Sequence, residues 1–367
     1  MSKKSVEETL FLLISSALGM RNDVMVASPV DWERIHDIAT LQGVSAICFD
    51  GLQHCNAKDA ISPSLKMQWI AESLWLEQMY HKQWNAAKCL GELYYKNGID
   101  TYVMKGFSLS RLYPIPEHRF CTDMDCFLKS ADAKGYTKGN RVAEANGINV
   151  DCRYYKHSKL LLEGLTVENH QYLLPIKGSG KAKKFEMELR RWIEDGTNEK
   201  IADSRLKATS PFFDAVYVLA HAQEHFLNEG FVLRHICDWA MVMNANADRL
   251  DWEKWKCICK EYGLLTFAYA MSRLAHKVCG VYIPFDCPDD NEADRLILDD
   301  TLYKKTFQNT KRTDLQVRIG LVVNMFRNNW KFRLFSDSNF LMFCGRRVWG
   351  YLFEKDLDSQ YDIQKTV

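Results

Sequence analysis

The sequence predicts an α+β protein, in which a small mixed β-sheet core is flanked by N-terminal and C-terminal helical regions. Three observations predict it. Apolar residues recur at helical spacing through residues 1–98. Between 99 and 204, short strand-like runs are separated by turn chemistry. In the remaining stretch, 205–367, the helical period returns.

Taken in order, "SVEETLFLLISSAL" carries an apolar helical stripe, with Ser5 as candidate N-cap and Glu8 three residues on. Asp31 stands where it can cap "WERIHDIATLQGVSAICFDGL". Ser62-Pro63 opens a long helix that runs to Tyr95 and stops at Asn97-Gly98. The pattern then shortens. "DTYVM" (100–104) reads as a strand, "FSLSRLY" as a short helix ended by Pro114 and Pro116, and "DMDCFLK" (123–129) as a second strand. "ADAKGYTKGNRVAEANG" is polar and reads as a helix, and "INVDCRYYK", "SKLLLEG" and "LTVENHQYLL" read as three strands. Asn146-Gly147 and Glu163-Gly164 mark turns between them. "PFFDAVYVLAHAQEHFL", "LRHICDWAMVMNA", "DWEKWKCICKEYG" and "LLTFAYAMSRLAHKVCG" are amphipathic helices, and 310–352 is read as mainly helical.

Composition narrows the classes. The 367 residues carry a net charge of +1, so no global field points to nucleic acid or an acidic partner. The basic runs "KGSGKAKK" (177–184) and "RTDLQVR" (312–318) read as a solvated loop and a solvated helix face. Twelve cysteines include no Cys-x-x-Cys pair, and Cys257 and Cys259 have no second pair at zinc spacing. They are read as small buried side chains in a reducing compartment. "MSKK" followed by "LFLLISSALGM" mimics a short secretory signal, but Glu7 and Glu8 interrupt it, so an amphipathic first helix is expected. No apolar run has the length of a membrane span. The expectation is a cytoplasmic protein with no membrane partner.

The informative stretch is "VMKGFSLSRLYPIPEHRFCTDMDCFL", Val103 to Leu128. On a strand, Asp123 and Asp125 point to one face and Met124 to the other. Adjacent carboxylates repel unless a cation lies between them, and a divalent ion with oxygen ligands, Mg²⁺ (or Mn²⁺), answers that need. An edge strand with a wet outer face is the alternative. Lys105-Gly106 closes the preceding strand. Its glycine permits close backbone approach to a phosphate, and Lys105 and Arg119 offer charges for phosphate oxygens. "TVENHQ" puts Glu168 and His170 on one face of a later strand, where a third acid would complete a two-metal site.

These residues resemble the nucleotidyltransferase superfamily that includes DNA polymerase β and kanamycin nucleotidyltransferase. The chain is more closely similar to an uncharacterised bacterial nucleotidyltransferase family with the pattern "LKG…LY…R…D-x-D…E-x-H" followed by a helical His-rich segment. Here the pattern reads "VMKGFSLSRLYPIPEHRFCTDMDCFL", "VENH" and "HAQEHFLNEGFVLRHICDWAMVM", and the resemblance spans most of 30–245. It implies that 99–204 is a nucleotidyltransferase core. It also implies that Asp123 and Asp125 hold the metals, that Glu168 is the third acid, and that Lys105, Gly106 and Ser108 cradle the triphosphate, with Arg119 nearby. The implied reaction moves a nucleoside monophosphate from an NTP to an acceptor hydroxyl and releases pyrophosphate. The acceptor can be a small molecule, a protein or an RNA. Two departures stand out. Phe107 occupies the family's small position after the glycine, with Ser108 one place late, and Asp151 competes with Glu168 as third acid.

Downstream, His221 and His225 lie one helical turn apart beside Glu224, outside the His-Glu-x-x-His order of zinc proteases. A packed structural role is expected for them, with acceptor or ligand contact as the alternative, shared by His170. Arg234 and Asp238 have the spacing of an intrahelical ion pair. Three rival functions use other features. A non-catalytic or antitoxin-like protein on the same fold would explain Phe107. A helical interaction scaffold would leave the Asp pair as solvated surface. Nucleic-acid binding through the basic and aromatic stretch 304–347 would show a steep salt dependence.

Overall fold

A computed structural model describes residues 3–27, 29–175, 180–194, 199–228, 230–303 and 326–336. The run 312–318 lies outside the described residues, as do 177–179, and 304–347 and 310–352 are described only at 326–336. The first helices are α1 (Lys3–Ala17), α2 (Trp32–Leu41), α3 (Ser45–Leu52) and α4 (Pro63–Lys96). Asp31 caps α2 by accepting from the Arg34 amide, and Ser62 caps α4 by accepting from the Leu65 amide. α1 begins before Ser5, so that residue is not its cap. The span 32–52 expected as one helix is broken at Gly43, whose φ of +67° the right-handed helix does not allow.

The core follows as β1 (Ile99–Val103), α5 (Phe107–Ser110), β2 (Asp123–Ser130), α6 (Gly135–Ala145), β3 (Val150–Asp151), β4 (His157–Leu162) and β5 (Leu165–His170). Next come α7 (Gly180–Glu194) and β6 (Leu206–Ala208). Neither was expected from sequence. Residues 180–184, read as part of a solvated loop, open a helix. β6 lies beyond 204 but completes the sheet by pairing parallel to β1. α8 (Pro211–Asn228), α9 (Leu233–Asn246), α10 (Trp252–Glu261) and α11 (Leu265–Cys279) match the expected helices, followed by α12 (Asn291–Tyr303) and α13 (Asn329–Phe335). No helix among the described residues is long and apolar enough to cross a membrane, and every described cysteine is free.

The six strands run in the order β3-β4-β5-β2-β1-β6. β2 pairs antiparallel to β1 and parallel to β5, so it lies inside the sheet. The alternation of β2 therefore decides two different environments. Met124, Cys126 and Leu128 point to the back, into a core with Leu90 and Tyr94 of α4 and Ala143 of α6. Phe127, with Tyr102 and Met104, points to the front, into a larger core that runs without interruption through α1–α3 and α8–α12. The flanking helical regions thus share one core, and α4 contributes to both, with Trp69 in front and Leu90 behind.

The loop before β2 is held at several points. Tyr80 of α4 bonds the Ser110 hydroxyl at 3.0 Å. His118 lies between Asp50 of α3 (2.7 Å) and Glu77 of α4 (2.9 Å). Burial opposes the charged ring, but the two carboxylates outweigh it and raise the His118 pKa to about 8. A raised pKa contributes stability below the unfolded value, near 6.5, and that contribution is lost as pH rises through about 8. We expect the melting temperature of the wild type to fall between pH 6.5 and 9 relative to His118→Gln, by the equivalent of about 1 kcal/mol once solvent around Glu77 is allowed for. Parallel pH profiles for the two proteins would refute the pairing.

Candidate active site

Asp123 and Asp125 stand on the front of β2, and the front of β5 places Glu168 directly opposite Asp125 in the parallel register. The antiparallel register of β4 sets Lys159 beside Glu168 and His157 beside His170. Six side chains from three neighbouring strands therefore converge on one patch, which α8 covers from the front. The alternate residues of β4 and β5 fix this register from behind. Ser158 donates to Asn140 of α6 at 2.8 Å, and Asn169 donates to the same oxygen at 3.1 Å and to the Tyr94 hydroxyl at 2.9 Å.

Asp125 is 2% exposed and is the hub. Its Oδ1 lies 2.8 Å from Nε2 of His170, and its Oδ2 lies 2.8 Å from Nζ of Lys105. Nζ of Lys105 also approaches Nε2 of His221 on α8, at 2.6 Å. Burial favours a protonated Asp125, but Lys105 and His170 outweigh it and hold its pKa well below the usual carboxylate range. Reciprocally, burial opposes charge on Lys105, while Asp125 and Asp123 more than offset it and raise its pKa. Burial, with Lys105 second, holds His221 well below the ordinary histidine value, so it is the neutral acceptor of the Lys105 proton.

Glu168 faces His157 Nε2 at 3.1 Å and Lys159 Nζ at 3.4 Å. Burial and the charges of Asp125 and Asp123 raise its pKa, so it holds a proton more readily than an ordinary glutamate. Burial and the neighbouring His170 depress His157 to about 2. Ligand atoms of Asp125, Glu168 and His170 lie within 4.8 Å of one another, the single such cluster among the described residues. The donor set fits a divalent ion. Asp123 sits half-buried at the rim, its Oδ1 accepting from the Thr122 hydroxyl at 3.1 Å.

Asp151 is settled by distance along the sheet. It lies on β3 at the far edge and binds Arg153 of its own turn at 2.6 Å, so Glu168 is the acid beside Asp125. Gly106 has φ +59°, and a Cβ there would come 2.8 Å from the Asp123 carbonyl oxygen, so close packing on the start of β2 demands the glycine. Phe107 turns away from the acids into the core behind the sheet, packing edge-on to Tyr80 of α4 (centroids 5.1 Å) and against Trp84 (5.2 Å). Ser108 is fully buried, and its hydroxyl has no hydrogen-bond partner.

Two expectations are corrected. Arg119 does not face the acids. Its Nε and Nη2 clamp the two oxygens of Asp238 on α9 at 2.8 and 2.7 Å, and Tyr113 donates to the same carboxylate at 2.7 Å. Asp238 is therefore the partner of Arg119 and not of Arg234. Arg234 donates to the Phe120 carbonyl at 2.9 Å, packs over the Phe120 ring, and feels the charge of Asp123. His221 reaches the site, whereas His225 packs against the His221 ring (4.4 Å) and that of His235 (5.4 Å). Sequence reasoning missed His157, Lys159 and Arg234. The first two sat in the right place to be found, at alternate positions of a strand whose neighbour carries Glu168.

A family model described as "Uncharacterised nucleotidyltransferase" matches residues 28–280, which contain every residue of this site. No curated protein and no solved structure matches the chain.

Proposed function

The chain belongs to the uncharacterised nucleotidyltransferase family, and from that premise we propose that it transfers a nucleoside monophosphate from an NTP to an acceptor hydroxyl with release of pyrophosphate. The observation that carries this reading is the register that sets Glu168 opposite Asp125, with Asp123 two residues away on the same face. Asp123, Asp125 and Glu168 are the groups that would hold Mg²⁺ or Mn²⁺. Such an ion supplies charge neutralisation at the phosphates and lowers the cost of forming the attacking alkoxide.

The side chains have separable tasks. Asp125 and Asp123 give the face its negative charge, and Lys105 keeps that charge tolerable in a buried place. Its ammonium is also the cation nearest to the hub and is suited to a phosphate oxygen. Glu168, opposite Asp125 with His157 beside it, is suited either to ligate the second ion or to take the acceptor's proton. Arg234, which feels the charge of Asp123, is better placed than Arg119 for the phosphate contact expected of Arg119. Rate enhancement from such a site comes from positioning and fixed charge. The bond from the acceptor oxygen to the α-phosphorus forms as the bond to the pyrophosphate oxygen breaks.

A second reading, a non-catalytic member of the family, is favoured by the charge compensation already present, since Lys105 and Lys159 lie against Asp125 and Glu168. Calorimetric titration with ATP and GTP, with and without Mg²⁺, separates the two. We expect metal-dependent binding by the wild type, weakened about tenfold or more in Asp123→Asn, whose half-buried position leaves the fold intact. Absence of binding by folded wild type to either nucleotide would overturn the nucleotidyltransferase reading.

A further inference from the structure

Resting on the reading of this patch as a metal site, we infer that its inner position is a mixed nitrogen–oxygen centre, with His170 ligating beside Asp125 and Glu168, and that it selects a first-row transition ion such as Mn²⁺ over Mg²⁺.

Four observations carry this. The first is the donor set: Nε2 of His170 and one oxygen each from Asp125 and Glu168 lie within 4.8 Å of one another. The second is the orientation of His170. Its Nδ1 donates to the Tyr172 carbonyl at 3.0 Å, while the Tyr172 amide is itself tied to the Lys156 carbonyl at 2.9 Å. A histidine whose one nitrogen is pinned to a carbonyl aims the other as a lone pair, which is how protein ligands to metals are oriented. That nitrogen faces Asp125 Oδ1, 2.8 Å away, where either a proton or a bound divalent ion can lie against both groups. Metal binding displaces that proton, and Nε2 and Oδ1 then become neighbouring ligands.

The third observation is a second imidazole in reach. Nε2 of His157 lies 3.1 Å from Glu168 Oε2, and its other nitrogen is buried without a hydrogen-bond partner. The fourth comes from α8, independently of the strands. One turn before His221, Tyr217 is fully buried with its hydroxyl unpartnered, and Nδ1 of His221 is likewise buried and unpartnered. Because Nε2 of His221 accepts from Lys105, its Nδ1 carries the proton, so these orphaned groups call for an ordered water, of the kind that completes a divalent ion's shell. Mg²⁺ takes oxygen ligands in near-ideal octahedral geometry, whereas the first-row transition ions, from Mn²⁺ onward with rising affinity, also accept imidazole, so one nitrogen in the set shifts the preference away from Mg²⁺.

The test is pulsed electron paramagnetic resonance on the full chain loaded with Mn²⁺, alone and with a non-hydrolysable ATP analogue, beside calorimetric competition by Mg²⁺. The expected wild-type spectrum carries the hyperfine coupling of at least one directly bound ¹⁴N. His170→Gln has one such nitrogen fewer and binds Mn²⁺ about 10- to 100-fold more weakly. Mg²⁺ displaces Mn²⁺ only in large excess. Mn²⁺ held with no bound nitrogen, or Mg²⁺ competing on equal terms, would overturn the inference even if the variant fails to fold, because the wild-type spectrum decides it. Nucleotide binding with an all-oxygen Mn²⁺ site sinks this inference alone. Absence of any divalent binding, with or without the analogue, sinks the metal site on which the proposed function also rests.

Discussion

Asp125→Asn is expected to lower the free energy of unfolding by about 3–5 kcal/mol and to abolish divalent metal binding. The carboxylate is 2% exposed and the Lys105 side chain 13% exposed, at 2.8 Å. Removing the carboxylate leaves a buried ammonium whose other close partner, His221, is neutral. Lys105→Met is the converse change. It strands Asp125 with His170 and is expected to cost a similar amount. The double variant, Lys105→Met with Asp125→Asn, removes both charges. It should therefore be more stable than the sum of the single effects implies, by about 1–3 kcal/mol of coupling. Urea unfolding of the four proteins measures this cycle. A coupling of zero would mean that the two groups do not pair in solution, and the site electrostatics described above would fail with it.

The second large effect lies outside the acidic patch. Arg119→Met is expected to destabilise the protein by about 3–5 kcal/mol while leaving the nucleotide affinity of the folded protein unchanged. Arg119 and Asp238 form a bidentate pair with side chains only 6% and 7% exposed, and Tyr113 closes the network from the α5–β2 connection. Either single truncation leaves a buried charge without its partner. Asp238→Asn should accordingly be as harmful as Arg119→Met. The result that would restore a phosphate role to Arg119 is a variant of near wild-type stability with weakened nucleotide binding.

Much of the fold was legible because its signals are local. The caps Asp31 and Ser62 act within three residues, and the helical stripes of α8 to α11 repeat every turn. The pairing of Asp123 with Asp125 on one face needs only the two-residue period of a strand. What escaped detection was either weakly patterned or ambiguous. α7 opens in a lysine-rich run that reads equally as loop, and β6 has only three residues. The sequence by itself thus determined the fold class, most elements and the acidic strand, together with the family to which its motifs point.

The tertiary structure alone decided which of these residues meet. Glu168 joins Asp125, and Asp151 does not, because β5 lies beside β2 while β3 lies at the sheet edge. His221 reaches Lys105 across 116 positions of chain, and Arg119 reaches Asp238 across 119. A sequence pattern reports the geometry of a few neighbouring residues, since helix and strand periods extend no further than a turn or a pleat. Partners set by strand order and by the packing of α8 and α9 carry no such local trace. Arg234 could pair with Asp238 on spacing alone, and lost that partner because burial placed Arg119, with a two-point grip, against the same carboxylate.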